Sequence, residues 1–145
     1  MSNQEILLAE DDPNDEILTL HALEETNICN RVVVAHDGVE ALDYLFGRGI
    51  FAGREPMDLP AVVLLDLNMP RLNGLDVLRE IRADPLTRRL PVVMLTTSKD
   101  EQDMLTSYDL GVNSYVRKPV DFDQFTEAVR GLGMYWLLLN ERAPD

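Results

Sequence analysis

The stretch VVLLDLNMP, residues 62–70, decides the fold because it joins a buried strand to an acid. Its apolar run begins at Ala61 and reaches Leu65 without a polar interruption, a pattern typical of a parallel strand covered on both faces. Asp66 follows directly, and Pro70 marks the end of any extended segment. A strand that only builds a core needs no carboxylate at its end. We therefore interpret Asp66 as a reactive group at the edge of a sheet.

Four other apolar runs have the same character, and segments with helical spacing lie between them. These runs are ILLA (residues 6–9), VVVA (32–35), PVVML (91–95) and SYV (114–116). Apolar helix stripes are predicted at Ile17, Leu20 and Leu23, at Met104, Leu105 and Tyr108, and at Phe125, Val129, Leu132, Trp136 and Leu139, among others. Strand and helix alternate along the whole chain. The pattern predicts an α/β fold, a doubly wound five-stranded parallel sheet with helices on both faces.

Length, charge and cysteine content narrow the class of protein. The 145 residues are enough for one domain with a substantial core. The net charge of −13 argues against duplex DNA or an anionic membrane as a partner, since both would be repelled. The only cysteine is Cys29, so no disulfide framework or thiolate metal site is expected. No signal-peptide pattern is visible, and the longest apolar run, residues 134–139, is too short to cross a bilayer, which predicts a cytoplasmic protein.

Polar side chains follow four of the five predicted strands. They are Glu10, Asp11 and Asp12, then Asp66, then Thr96, Thr97 and Ser98, and finally Lys118 before Pro119. In a doubly wound sheet, ligands bind at the carboxyl ends of the strands. Each of these residues alone would be ordinary for a turn. Their joint occurrence at strand ends predicts a functional site made of acids, hydroxyls and one amine.

The acids of this predicted site favour a divalent cation. Two carboxylates ~5 Å apart repel by roughly 3 kcal/mol at an effective dielectric constant near 20. Glu10, Asp11 and Asp66 therefore cannot all stay ionised without a cation or a proton. Oxygen ligands without nearby Cys or His favour Mg²⁺, with Mn²⁺ as the alternative. We assign Asp11 and Asp66 as direct ligands and Glu10 as a ligand through water, whereas Asp12 is more simply a helix cap.

The same residues resemble the receiver domain of two-component response regulators, from about residue 5 to residue 130. The residues that carry the resemblance are the acidic pair Glu10 and Asp11, Asp66 within LLDLNMPRLNG, Thr96 after the fourth strand, and Lys118 of the KP pair. The resemblance implies a flavodoxin-like (βα)5 fold. It also implies that a histidine kinase transfers a phosphoryl group to Asp66, and that the protein acts as a phosphoacceptor switch rather than as an enzyme on other substrates.

The resemblance further implies the roles of individual residues. Asn68 offers its backbone carbonyl to the metal, Lys118 and Thr96 stabilise the phosphoryl group, Thr96 and Tyr115 form the conformational switch, and Asn68 and Ser98 tune the lifetime of the phosphoaspartate. The resemblance also implies a cis peptide bond between Lys118 and Pro119, which the sequence alone does not show.

The carboxyl-terminal segment suggests how the signal leaves the protein. Residues 4–130 are assigned to the receiver domain, and residues 131–145 to an extension of the last helix, without an output domain. The run 134–139 is apolar around the whole helix, so a monomer would expose part of it. We predict a homodimer that uses Tyr135, Trp136 and Leu139.

A looser resemblance concerns the partner kinase. The loop EALDYLFGRGIFAGREP, residues 40–56, and the aromatic tail are similar to those of small response regulators paired with phytochrome-type histidine kinases. A light-regulated kinase is therefore the expected phosphoryl donor.

Four alternatives remain open. A phosphatase of the haloacid dehalogenase kind would need an acid where Asn68 stands, and a flavodoxin-like cofactor binder would need a glycine-rich first loop. A pseudo-receiver scaffold would not need the intact Asp66 and Lys118. A relay protein that passes the phosphoryl group to a second histidine has the same sequence features as a terminal acceptor.

Overall fold

The protein is an α/β sandwich with a central parallel sheet, as the sequence predicts. The computed structural model describes residues 5–26, 31–56, 58–118 and 121–144. Its strands are β1 (Glu5–Ala9), β2 (Arg31–Ala35), β3 (Val62–Leu65), β4 (Val92–Thr96) and β5 (Ser114–Arg117). Its helices are α1 (Pro13–Thr26), α2 (Gly38–Phe46), α3 (Gly74–Ala83), α4 (Glu101–Asp109) and α5 (Phe122–Met134), with a 3₁₀ turn at Gly49–Phe51 and a π-helical turn at Tyr135–Leu139.

The order of the strands creates the crevice in which the site lies. The sheet has the order β2-β1-β3-β4-β5, and all of its pairs are parallel. The chain first moves outward from β1 to β2 and then returns across β1 to β3. Parallel sheets of this order bind ligands between β1 and β3, at the carboxyl ends of the strands.

Side chains of each inner strand alternate between two apolar layers. In β1, Leu7 and Ala9 pack with α2 and α3, whereas Ile6 and Leu8 pack on the opposite face with α1 and α5. Both faces of the sheet are therefore covered by helices. This explains why the sequence of these strands is continuously apolar rather than alternating.

Two predicted helix faces differ from the observed ones. In α1, Leu23 of the predicted stripe is buried together with Ala22, but Ile17 of the same stripe is 64% exposed. In α4, Leu105 and Tyr108 are about half exposed, and the described side chain that is buried is Ser107. A period of 3.6 residues fits several neighbouring faces of a short helix, so the stripe alone did not determine its orientation.

The end of α5 divides the predicted dimer surface into a buried and an exposed part. Trp136 is only 8% exposed and packs in the layer formed by α1, α5 and the sheet. Tyr135 and Leu139 are 48% and 70% exposed. Trp136 thus belongs to the core of a single chain, and only Tyr135 and Leu139 of the predicted interface are accessible to a partner.

Candidate functional site at the carboxyl edge of the sheet

Backbone hydrogen bonds continue past the strand ends and fix the site residues. The amide of Glu10 donates to Ala35 O at 2.9 Å, and the amide of Asp66 donates to Ala9 O at 3.0 Å. The amide of Lys118 donates to the carbonyl of Thr96 at 2.7 Å. Residues that follow β1, β3 and β5 are therefore held by the sheet itself. Pro119 and Cys29 lie outside the described residues. The prediction for the peptide bond before Pro119 therefore stays untested.

The Lys118 ammonium lies among three carboxylates. Its Nζ is 2.5 Å from Glu10 Oε1, 2.8 Å from Asp15 Oδ2 and 3.7 Å from Asp66 Oδ2. The Lys118 side chain is 4% exposed. Burial opposes its charge, but the hydrogen bonds to Asp15 and Glu10 and the charge of Asp66 prevail, so the pKa of Lys118 is raised. The lysine is a fixed positive charge beside Asp66.

Glu10, Asp11 and Asp66 form the acidic cluster that the sequence predicts. One carboxylate oxygen from each lies within 4.8 Å of the others. Glu10 and Asp66 are buried and Asp11 is exposed. Burial raises the pKa of Glu10 to about 7 although Lys118 opposes this, and burial likewise raises the pKa of Asp66. The raised pKa values show that ionising these acids together is unfavourable, and a bound cation would favour their ionised forms.

The donor set fits Mg²⁺. The set consists of carboxylate oxygens, and Asp11 is exposed, so a hydrated ion can reach the cluster from solvent. Unit charges at such separations repel by about 3 kcal/mol at an effective dielectric constant near 20. A divalent cation would remove that repulsion. The Asn68 amide hydrogen-bonds to the Asp66 carboxylate, while the metal-binding role of the Asn68 carbonyl stays a prediction.

Thr96 is the last residue of β4, and Ser98 follows two positions later. Thr96 is fully buried, and its Oγ1 accepts a hydrogen bond from the Ser98 amide at 3.1 Å. The Ser98 hydroxyl donates to Asp103 Oδ2 at 2.7 Å. This arrangement leaves the proton of the Thr96 hydroxyl available for a ligand in the crevice.

Tyr115 turns inward in this structure. Its ring packs against the layer formed by α2, α3 and the sheet. The hydroxyl is buried, and although Ser98 is nearby, no described atom is placed to form a hydrogen bond with it. A buried unpaired hydroxyl costs roughly 1–3 kcal/mol.

Gly74 allows α3 to begin directly against the acceptor loop. A Cβ at this position would lie 2.5 Å from the Asp66 carbonyl oxygen and 2.8 Å from the Cα of Leu67. The Gly74 amide donates to Leu67 O at 2.7 Å. The glycine of the RLNG motif, to which the sequence reasoning gave no role, therefore sets the distance between α3 and Asp66.

An ion pair that the sequence reasoning missed fixes the other end of this loop. Arg71 has φ +66°, a left-handed conformation that is uncommon for a residue other than glycine. Its Nε and Nη2 donate to the two oxygens of Asp37 at 2.8 and 3.1 Å. Asp37 also caps α2 through the Glu40 amide. The loop after Asp66 is thereby tied to the start of α2.

Asp15 is a fourth acid at the site, beside Glu10, Asp11 and Asp66, and the sequence reasoning had not singled it out. It lies in the first turn of α1, whereas Asp12 caps that helix by accepting hydrogen bonds from the amides of Asn14 and Asp15 at 2.8 and 3.2 Å. The cap assigned to Asp12 is confirmed. No sequence pattern singles out Asp15, because its partner Lys118 lies 103 positions away in the chain.

Residues 6–130 match the family described as the response regulator receiver domain. The chain belongs to this family. Receiver domains bind Mg²⁺ and interact with histidine kinases, and the geometry described above agrees with the first of these properties.

Three relatives show how far the similarity of this receiver extends. Response regulator Rcp1 of Synechocystis is 37% identical over 132 residues, which cover 91% of this chain and 88% of Rcp1. The solved Mn²⁺-bound form of Rcp1 matches with a TM-score of 0.89 at 34% identity, covering 97% of this chain and 99% of that one. The phosphorylated cyanobacterial phytochrome response regulator RcpA matches with a TM-score of 0.91 at 38% identity, covering 99% and 100%. The bacteriophytochrome response regulator AtBRR is 52% identical, with a TM-score of 0.76 and coverage of 97% and 100%.

Within the part of the receiver that the structure describes, no helix combines the length and the apolar character needed to span a membrane.

Proposed function

We propose that Asp66 of this response regulator accepts a phosphoryl group from the phosphohistidine of a kinase. The observation that carries the proposal is the placement of the Asp66 carboxylate between an acidic cluster suited to Mg²⁺ and the Lys118 ammonium, 3.7 Å away. An isolated acid at a strand end would need neither neighbour. The arrangement suits a nucleophile that must receive an anionic group.

The reaction follows from these contacts. An Asp66 carboxylate oxygen attacks phosphorus, a P–O bond forms, and the P–N bond to the donor imidazole breaks while the imidazole nitrogen keeps the electron pair. Lys118 donates a hydrogen bond to one phosphoryl oxygen, and the Thr96 hydroxyl donates a hydrogen bond to another. Asp11, Asp66 and the Asn68 carbonyl, with Glu10 acting through water, would hold Mg²⁺, which would supply positive charge to the phosphoryl oxygens.

The switch is proposed to use Thr96 and Tyr115. When Thr96 turns toward the phosphoryl group, it leaves space beside β5. The ring of Tyr115 then occupies that space, which is the inward pose that it has in this structure. The phosphoryl group can shift this equilibrium only through its different interactions with the two states, and the Thr96 hydrogen bond is such a difference. Ser98 and Asn68 flank the acceptor and are proposed to tune the lifetime of the phosphoaspartate.

We infer that the phosphoryl donor is a phytochrome-type histidine kinase. The likeness to RcpA and AtBRR, which are phytochrome and bacteriophytochrome response regulators, supports this pairing. Phosphotransfer from a purified phytochrome kinase, faster than from an unrelated histidine kinase, is the expected result. Equal rates would contradict it.

The remaining proposals concern output and location. Residues 4–130 are proposed to act as the receiver domain; the π-helical turn at Tyr135–Leu139 continues α5, but residues 140–144 are not helical, so the predicted helix extension is shorter than the segment 131–145. We propose a cytoplasmic homodimer that signals by protein contact, supported by the exposure of Tyr135 and Leu139. The charge of −13 disfavours nucleic acid and anionic membranes as partners, and no activity on other substrates is proposed.

Acetyl phosphate with Mg²⁺ tests the acceptor role. The wild type is expected to gain a hydroxylamine-labile phosphoryl group, and Asp66→Asn to gain none. Asp12→Asn is the matched control, because it removes a neighbouring negative charge while asparagine still caps the helix. It should be phosphorylated like the wild type. Labelling of Asp66→Asn, or of neither protein, would contradict the proposal, and transfer of the label to a histidine phosphotransfer domain would indicate a relay role.

A further inference from the structure

The Asp15 carboxylate contacts Lys118 from a helical turn whose backbone is held by hydrogen bonds. Its backbone amide is bound by the Asp12 cap at 3.2 Å, and its carbonyl accepts a hydrogen bond from Thr19 Oγ1 at 2.7 Å. Thr19 is fully buried. The first turn of α1 therefore places Asp15 Oδ2 at 2.8 Å from Lys118 Nζ.

Lys118 is bound to acids other than the acceptor. An ammonium group has three N–H donors. Glu10 and Asp15 receive hydrogen bonds at 2.5 and 2.8 Å, whereas Asp66 at 3.7 Å is beyond hydrogen-bonding distance. A phosphoryl group on Asp66 must compete with these two carboxylates for the lysine.

The two competitors differ in how easily they release Lys118. The Glu10 side chain is 2% exposed and the Asp15 side chain 26% exposed. A carboxylate left without its partner loses least where water can reach it. Asp15 is therefore the partner that Lys118 gives up.

We propose that Asp15 is a positioning residue that retains Lys118 and so sets how strongly the lysine engages a phosphoryl group on Asp66. This inference rests on the proposed function. The charge of Asp15 weakens phosphoryl binding, because part of the attraction of Lys118 is already taken up. Its effect reaches the phosphoryl group through Lys118 alone.

Beryllofluoride, which mimics a phosphoryl group on a carboxylate, provides the test. At saturating Mg²⁺, Asp15→Asn is expected to bind it about three- to tenfold more tightly than the wild type, since a neutral amide holds an ammonium less strongly than a carboxylate does. Asparagine keeps the shape and an acceptor oxygen. Asp15→Glu restores the charge and is expected to return the affinity toward the wild-type value, which a purely structural role would not do.

Glu16→Gln is the matched control. Glu16 is the next residue of the same turn, 24% exposed, and its Oε1 lies 3.0 Å from His36 Nε2 rather than against Lys118. Removing its charge should change the affinity less than about twofold. A Mg²⁺ titration without beryllofluoride separates any loss of metal affinity from the effect on the lysine.

Two results would count against the inference in different ways. Equal beryllofluoride affinities of Asp15→Asn and Glu16→Gln would overturn the role of Asp15 while leaving Asp66 as the acceptor. Absence of beryllofluoride binding in the wild type would overturn both.

Discussion

Replacing Gly74 by alanine is expected to separate α3 from the acceptor loop. The new Cβ would lie 2.5 Å from the Asp66 carbonyl oxygen, whereas ordinary contacts begin at 3.4 Å, so the backbone must move by about 0.9 Å. Both neighbours are backbone atoms and cannot turn aside as a flexible side chain would. Overpacking of this kind lowers the free energy of unfolding by about 1–3 kcal/mol. The higher helix propensity of alanine offsets only a part of this loss, because Gly74 is the first residue of α3.

Urea unfolding of Gly74→Ala and Gly131→Ala at equal protein concentration measures this effect. Gly131 is an exposed glycine within α5, and a Cβ there meets no atom within 4 Å. We expect Gly74→Ala to lower the free energy of unfolding by about 2 kcal/mol and Gly131→Ala to raise it by about 0.5–1 kcal/mol. Phosphorylation by acetyl phosphate should also slow in Gly74→Ala. A stability of Gly74→Ala equal to that of Gly131→Ala would refute the close-packing argument.

Three further predictions concern the ion pair between Arg71 and Asp37, the switch residue Tyr115, and the exposed residue Leu139. Burial alone would raise the pKa of Asp37, but the hydrogen bonds from Arg71 and from the Glu40 amide outweigh burial, so the pKa is lowered. The stabilisation of the fold by the ionised Asp37 is therefore complete above the ordinary pKa range of aspartate. It is lost as the pH falls through the pKa of the folded state. The difference in unfolding free energy between wild type and Asp37→Asn should therefore be larger at neutral pH than in acid, and a difference independent of pH would contradict this. Tyr115→Phe removes a buried hydroxyl that lacks a described partner and should leave the unphosphorylated protein as stable or up to about 1 kcal/mol more stable in urea, whereas a clear loss would show that the hydroxyl is paired. Leu139→Glu should shift the sedimentation of the protein toward the monomer, while Ile50→Glu, at another exposed apolar residue, should not; identical sedimentation of the two variants would contradict the proposed dimer.

The sheet could be predicted from sequence because its strands are covered on both faces. Continuous apolar runs such as residues 62–65 have few alternatives once turns and helix caps separate them. The same reasoning placed Glu10, Asp66 and Lys118 at one edge, since the carboxyl ends of parallel strands lie together. That placement is what the structure shows.

The misplaced helix faces were beyond the reach of pattern reasoning. Ile17 and Leu105 are apolar, yet they are exposed to solvent, and the helical period alone does not exclude such an orientation. Trp136 was predicted both on the apolar stripe of the last helix and in the dimer surface, and the structure places it in the core with Phe125 and Val129 of that stripe. No local signal in the run 134–139 distinguishes these orientations.

The missed site residues act through contacts between distant segments. Asp15 and Lys118 are separated by 103 positions, and Arg71 reaches Asp37 across 34. Pairs of opposite charge are too common in a chain of this composition for one pair to be selected by sequence alone. Only the fold brings these partners together.

The central claim is that Asp66 accepts a phosphoryl group in a pocket that depends on a divalent cation. Intact-mass spectrometry after incubation with acetyl phosphate, with and without Mg²⁺, tests it most directly, with peptide mapping to locate the group. The account predicts one added phosphoryl group, located on Asp66, only when Mg²⁺ is present. Modification at another residue, or equal modification in the presence of a chelator, would contradict it.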